Sequence, residues 1–230
     1  MRKELGFALA GIVFASVANA SFIIDPFADT QNLTATSNGT MAAGDITGGN
    51  RYASITQNTG TKTDTLLFNA TPNEMDLNIG TGDTSDMRLL YDGTANTTGT
   101  NAFSLGSIDF TQGGALSLIR INLQSDHLNS LTMKVYTDAT DFSTATFNYT
   151  NDAFFNSYDT PFTSFVASGA GADFTNVNAF ELTISGVPQE NLQMNLLSAE
   201  ASSAPEPSAM LLLGGGLVGL GVFSRRRRRS

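Results

Sequence analysis

Through the middle of this chain, apolar residues come in short runs that alternate with polar ones and break at Gly, Asn and Asp. Leu131, Met133 and Val135 alternate with Thr132, Lys134 and Tyr136, the period of two that buries one face of a strand. Similar runs occupy 51–56, 65–69, 75–79, 87–91, 115–123, 142–149, 162–166, 179–185 and 192–197. No segment between the two ends carries a long 3.6-residue apolar period with caps. Short strands punctuated by turns predict an all-β body, an antiparallel β-sandwich of jelly-roll-like type. The 28 Thr, 19 Asn and 22 Gly suit strands and turns better than helices. No repeat of fixed period is present, which argues against solenoids and propellers.

Two absences narrow the chemistry. With no Cys, disulfide scaffolds, thiolate metal sites and cysteine nucleophiles are excluded, and a single His excludes His-rich metal centres. Stability then rests on core burial, which about 180 residues can supply.

The ends read differently from the middle. Arg2 and Lys3, an apolar stretch from Leu5 to Val17, and Ala18-Asn19-Ala20 have the three-part form of a secretory signal. Residues 1–20 are expected to form a signal helix cut after Ala20, leaving Ser21 as the mature N-terminus. This predicts Sec machinery and signal peptidase as partners. At the other end, Pro205, Glu206 and Pro207 precede an uncharged run from Ala209 to Phe223 and then Arg225, Arg226, Arg227, Arg228 and Arg229. As a helix that run is about 22 Å long, short of the ~30 Å hydrocarbon core. Ser208, Ser224 and snorkelling arginines extend it. The arginines belong on the cytoplasmic side, which places the body outside. The expected organisation is a body over 21–200, a linker with the Pro-Glu-Pro motif over 201–208, a single short transmembrane helix over 209–223, and a cytoplasmic tail over 224–230.

This ordered set resembles the PEP-CTERM sorting signal, and the resemblance covers residues 204–230. It implies recognition and removal of the tail by exosortase, a membrane protease-transpeptidase of Gram-negative bacteria. It further implies an inner-membrane intermediate, then release or attachment at the cell surface, often alongside exopolysaccharide. Ala204 stands where that family often has Val, and no Leu-Pro-x-Thr-Gly precedes the span as a Gram-positive sortase would need. Residues 173–186 are also similar to a late strand segment of PEP-CTERM bodies and of jelly-roll carbohydrate-binding modules, which bears on fold.

Between residues 21 and 204 there are five basic and nineteen acidic residues, a net charge of −14. Such a surface repels nucleic acid and anionic membranes and suits divalent cations or simple solubility. Asp83, Asp86 and Asp92 are the calcium candidate, with ordinary turn chemistry as the competing explanation. His127 follows Asp126 in a strand connection with no recognisable catalytic partner. Glu74, Glu181, Glu190 and Glu200 sit in no motif, so a glycoside hydrolase using paired carboxylates is only an alternative and the body is expected not to be an enzyme. Residues 154–158 form an aromatic cluster in an expected loop. It serves either as a glycan contact through Phe155 and Tyr158 or as a lid on one end of the sandwich. The sequence therefore points to an exported surface or matrix protein, structural or adhesive in an exopolysaccharide biofilm, with a glycan-binding module as the alternative.

Overall fold

The computed structural model describes residues 21–202 apart from 96, 128 and 189. The chain forms β1 (Ser21–Asp25), β2 (Gln31–Thr34), β3 (Ser37–Ala42), β4 (Asn50–Thr59), β5 (Thr65–Asn69), β6 (Glu74–Asn78) and β7 (Thr84–Tyr91). It continues through β8 (Leu118–Ser125), β9 (Asn129–Tyr136), β10 (Phe142–Tyr149), β11 (Asp152–Pro161), β12 (Val166–Ser168), β13 (Ala179–Pro188) and β14 (Asn191–Glu200). Among the described residues two seven-stranded sheets result, one ordered β11-β8-β14-β6-β5-β2 with β1 also on β14, the other β12-β10-β9-β13-β7-β4-β3. Every strand pairing is antiparallel. This is the expected β-sandwich, and its jelly-roll character lies in a chain that passes repeatedly from one sheet to the other. The signal helix and the transmembrane helix expected at the two ends lie outside the described residues.

Alternation drives the packing. Met75 and Leu77 in β6, Leu123 in β8, and Leu192 and Met194 in β14 face inward from one sheet. Ile55, Leu89, Leu131, Met133 and Leu182 meet them from the other. Each such side chain contributes about 1.5–3 kcal/mol on leaving water. The connection between β7 and β8 is long, and it docks Leu105, Phe110 and Leu116 on the core rather than crossing free.

Three boundaries differ from expectation. Residues 154–158 belong to β11 and not to a loop. The run at 162–166 is not one strand: a 3-10 turn over Phe162–Ser164 follows Pro161, whose φ is −58°, and β12 begins only at Val166. Phe162 and Phe165 pack instead on Phe174, with ring centroids 4.3 and 5.3 Å apart. β8 starts at Leu118 rather than 115 because a turn holds the chain before it. Asp109 accepts from Thr111 N–H and Gly113 N–H, and Leu116 N–H bonds Thr111 O.

Candidate functional site

At the end of the sheet where β8 finishes and β14 begins, outward-facing positions are amides. Gln124 alternates with buried Leu123, and Gln193 sits between buried Leu192 and Met194. The strand register puts Gln193 opposite Gln124 on one side and opposite Asp76 on the other. Gln124 Nε2 donates to Gln193 Oε1, Asn122 Nδ2 donates to Asn195 Oδ1 at 2.7 Å, and Asn69 Nδ2 donates to Asp76 Oδ2 at 3.0 Å. An amide and carboxylate surface thus runs across four strands.

This surface ends in a cleft of about 260 Å³ lined by Gln124, Asp126, Asn151, Asp152, Asn191 and Gln193. The connections fix its walls. Asn191 N–H donates to Asp126 Oδ1 at 2.8 Å, and Asn151 Nδ2 donates to Asp126 O at 2.5 Å. On β11 the register slips between Asp152 and Asn156, and Asp152 takes Phe154 N–H and Asn156 Nδ2 at 3.1 and 2.7 Å. Within that irregular stretch Phe154 is 77% exposed, next in the chain after Asp152 and Ala153 of the cleft wall. Amides donate and accept and carboxylates accept, the complement of a hydroxyl-rich ligand, and the exposed ring two residues after Asp152 offers an apolar face.

Behind the cleft lies a mixed cluster. One ligand atom each of Asp126, His127 and Glu190 lies within 4.8 Å of the others. His127 Nδ1 stands 2.7 Å from Asp126 Oδ1, and that hydrogen bond raises the imidazole pKa. Glu190 is buried, with Oε1 accepting from Ser125 Oγ at 2.5 Å and Oε2 from Tyr149 Oη at 3.1 Å. Burial pushes its carboxyl pKa up, and burial likewise pushes up the Tyr149 phenol. At 1% exposure Glu190 does not reach a glycosidic oxygen, so it fills neither role of a carboxylate pair flanking a sugar bond.

The residues singled out from sequence are distributed as follows. Asp83 and Asp92 sit at opposite ends of β7, about 30 Å apart along an extended strand, so the three aspartates do not converge on one ion. Asp83 clamps a loop, accepting from Thr61 N–H, Lys62 N–H and Gln57 Nε2. Asp92 accepts from Thr94 and Ala102 N–H, and Asp86 accepts from Gly186 N–H at 2.6 Å. Tyr158 stacks on Phe147 with centroids 5.3 Å apart and packs against the core, and its hydroxyl is 3.2 Å from Thr150 Oγ1. Phe155 is half-buried, so the exposed ring of the cluster is Phe154. Ala18, Ala20, the Pro-Glu-Pro motif and the arginine run lie outside the described residues.

Comparison with curated protein sequences gave no match. Among solved structures, a family 11 carbohydrate-binding module from Clostridium thermocellum, in complex with a β-1,3-1,4-mixed-linked tetrasaccharide, aligns at 10% identity and a TM-score of 0.41, covering 81% of this chain and 98% of that one. A family 29 carbohydrate-binding module variant complexed with mannohexaose aligns at 12% identity and 0.39, covering 80% and 93%. An agarase aligns at 9% and 0.42, covering 74% of this chain and 25% of its own. The match at the C-terminus is of another kind, to a family model of the tail itself. Residues 203–229 are a PEP-CTERM protein-sorting motif.

Proposed function

We propose that this is an exported surface or matrix protein of a Gram-negative bacterium whose folded body adheres to exopolysaccharide. Sec machinery delivers the chain, signal peptidase cuts after Ala20, and exosortase acts on the tail at the Pro205-Glu206-Pro207 motif after an inner-membrane stage. The body binds and does not turn over its ligand. The observation that carries the adhesive reading is the amide and carboxylate cleft, with exposed Phe154 next in the chain after its wall residues Asp152 and Ala153.

Strand pairing makes this arrangement workable. Ser21, the first residue after the expected signal cut, pairs with Glu200, the last residue of β14, so both processed ends leave from one end of the sheet. Asn191 and Gln193 lie at the start of the same ten-residue strand, about 30 Å away. A body held by either end therefore turns its cleft outward.

Affinity electrophoresis in gels containing the host's exopolysaccharide tests this. The protein should be retarded, and Phe154→Ala or Gln193→Ala should lose the retardation while still melting cooperatively. Equal mobility with and without polysaccharide would overturn the adhesive reading and leave a purely structural role.

A further inference from the structure

Asp126 and Glu190 are two carboxylates of unequal environment drawn together by fold rather than by sequence. Asp126 is 55% exposed and its neighbour His127 is 40% exposed, so both are open to solvent at the mouth. Glu190 lies behind them at 1% exposure. Among the described residues its oxygens accept from the neutral hydroxyls of Ser125 and Tyr149. Both carboxylates thus place an oxygen within 4.8 Å of one imidazole nitrogen, and among the described residues no cation is shown hydrogen-bonded to the deeper of them. A buried carboxylate in that position is relieved either by a proton or by a positive ion reaching it from the mouth.

We propose that Asp126, His127 and Glu190 form a binding site for a zinc-class divalent cation beside the polar cleft. The donor set selects the class. Calcium takes six to eight oxygens, whereas one imidazole nitrogen with two carboxylates suits zinc, nickel or copper. Ligand atoms within 4.8 Å of one another need to close by at most about 1.5 Å to sit around one tetrahedral ion. Three protein ligands leave a fourth position for water or a ligand oxygen. Asp126 also lines the cleft, so that open position adjoins the surface on which a hydroxyl-rich ligand would lie. The site does not depend on the adhesive reading, and it stands or falls by its own test.

The composition makes that test unusually direct. His127 is the only His and there is no Cys, so tight binding of a zinc-class ion to this chain has one imidazole to use and no thiolate. In the purified full chain in detergent micelles, the imidazole contributes a single set of ring resonances. Zinc added to one equivalent should move or broaden that set, with Ca²⁺ leaving it in place. Calorimetry should give one zinc per chain, weakened at least tenfold by His127→Ala, Asp126→Asn and Glu190→Gln. Should Glu190→Gln fail to fold, the two exposed positions carry the result. Imidazole resonances that stay fixed through millimolar zinc, or binding to His127→Ala equal to that of the unaltered chain, would overturn the site. A zinc site together with no exopolysaccharide retardation would keep this inference and reject the adhesive one.

Discussion

Arg51 Nη1 lies 2.6 Å from Asp25 Oδ2, and neither side chain is exposed. Asp25 ends β1 in one sheet, while Arg51 belongs to β4 in the other, so the pair ties the first strand of the sandwich to the opposite sheet. Asp25 also accepts from Tyr91 Oη at 2.9 Å and from Phe27 N–H at 2.7 Å. The guanidinium carbon stands 3.7 Å from the centroid of the Phe68 ring.

Breaking this pair from one side is therefore expected to be severe. Asp25→Ala leaves a buried guanidinium unpaired and should cost about 3–5 kcal/mol. Replacing both partners together, Asp25→Leu with Arg51→Met, should recover most of that loss. Denaturant midpoints for the three variants check it; equal destabilisation by the single and double changes would contradict it.

The aromatic cluster on β11 divides by burial. Phe154→Ala should leave stability within about 0.5 kcal/mol, since little of the ring is packed. Tyr158→Ala removes a stacked, half-buried ring from Phe147 and should cost about 2–4 kcal/mol. Thermal unfolding separates the two, and a larger loss at Phe154 would reverse the assignment.

Two acidic turns should loosen in acid. Hydrogen bonding from Thr111 Oγ1 and from backbone N–H groups holds the Asp109 carboxyl below its ordinary pKa, and the N–H groups of Asp141 and Thr140 do the same for Asp138. A depressed folded pKa contributes stability above the unfolded value and loses it as pH falls through the folded value, here below about pH 4. Amide exchange at Thr111, Gly113, Thr140 and Asp141, corrected for intrinsic pH dependence, should accelerate there. Asp109→Asn should abolish the pH dependence at Thr111 and Gly113 alone; persistence in that variant would contradict the assignment.

Gly93 closes the turn after β7 with φ at 78°, and a Cβ there would fall 2.1 Å from the carbonyl oxygen of Ser104. Gly93→Ala is expected to cost at least about 1–3 kcal/mol through backbone strain, before any shift of the 104–105 backbone. A melting temperature unchanged by the substitution would contradict this.

The fold was legible wherever one face of a strand is buried and the other wet. Leu131, Met133 and Val135 carry that signal unaided, and the same alternation placed Leu192 and Met194 inward. Legibility failed where long-range contacts decide. Asp83 resembles a calcium ligand locally, yet its partners are the N–H groups of Thr61 and Lys62, over twenty residues earlier. Glu190 carries no local motif because its nearest polar partner, Ser125, is 65 residues away and arrives through the β8–β14 register. The slip on β11 across the stretch that holds exposed Phe154 leaves no mark on hydrophobic period. One clue was available in the alternation of Gln193 and Asn195 with apolar residues, which marks an amide-bearing outer face.

Under the proposed sorting, both ends of the chain are removed and the sandwich between them is what the cell displays. Its most direct measurement is the intact mass of the protein recovered from the surface or medium of its native host. A species beginning at Ser21 and lacking the tail beyond the Pro205-Glu206-Pro207 region is expected, with any surplus mass reporting the attached group. A mature population that still ends at Ser230 would contradict it and leave a membrane-anchored ectodomain.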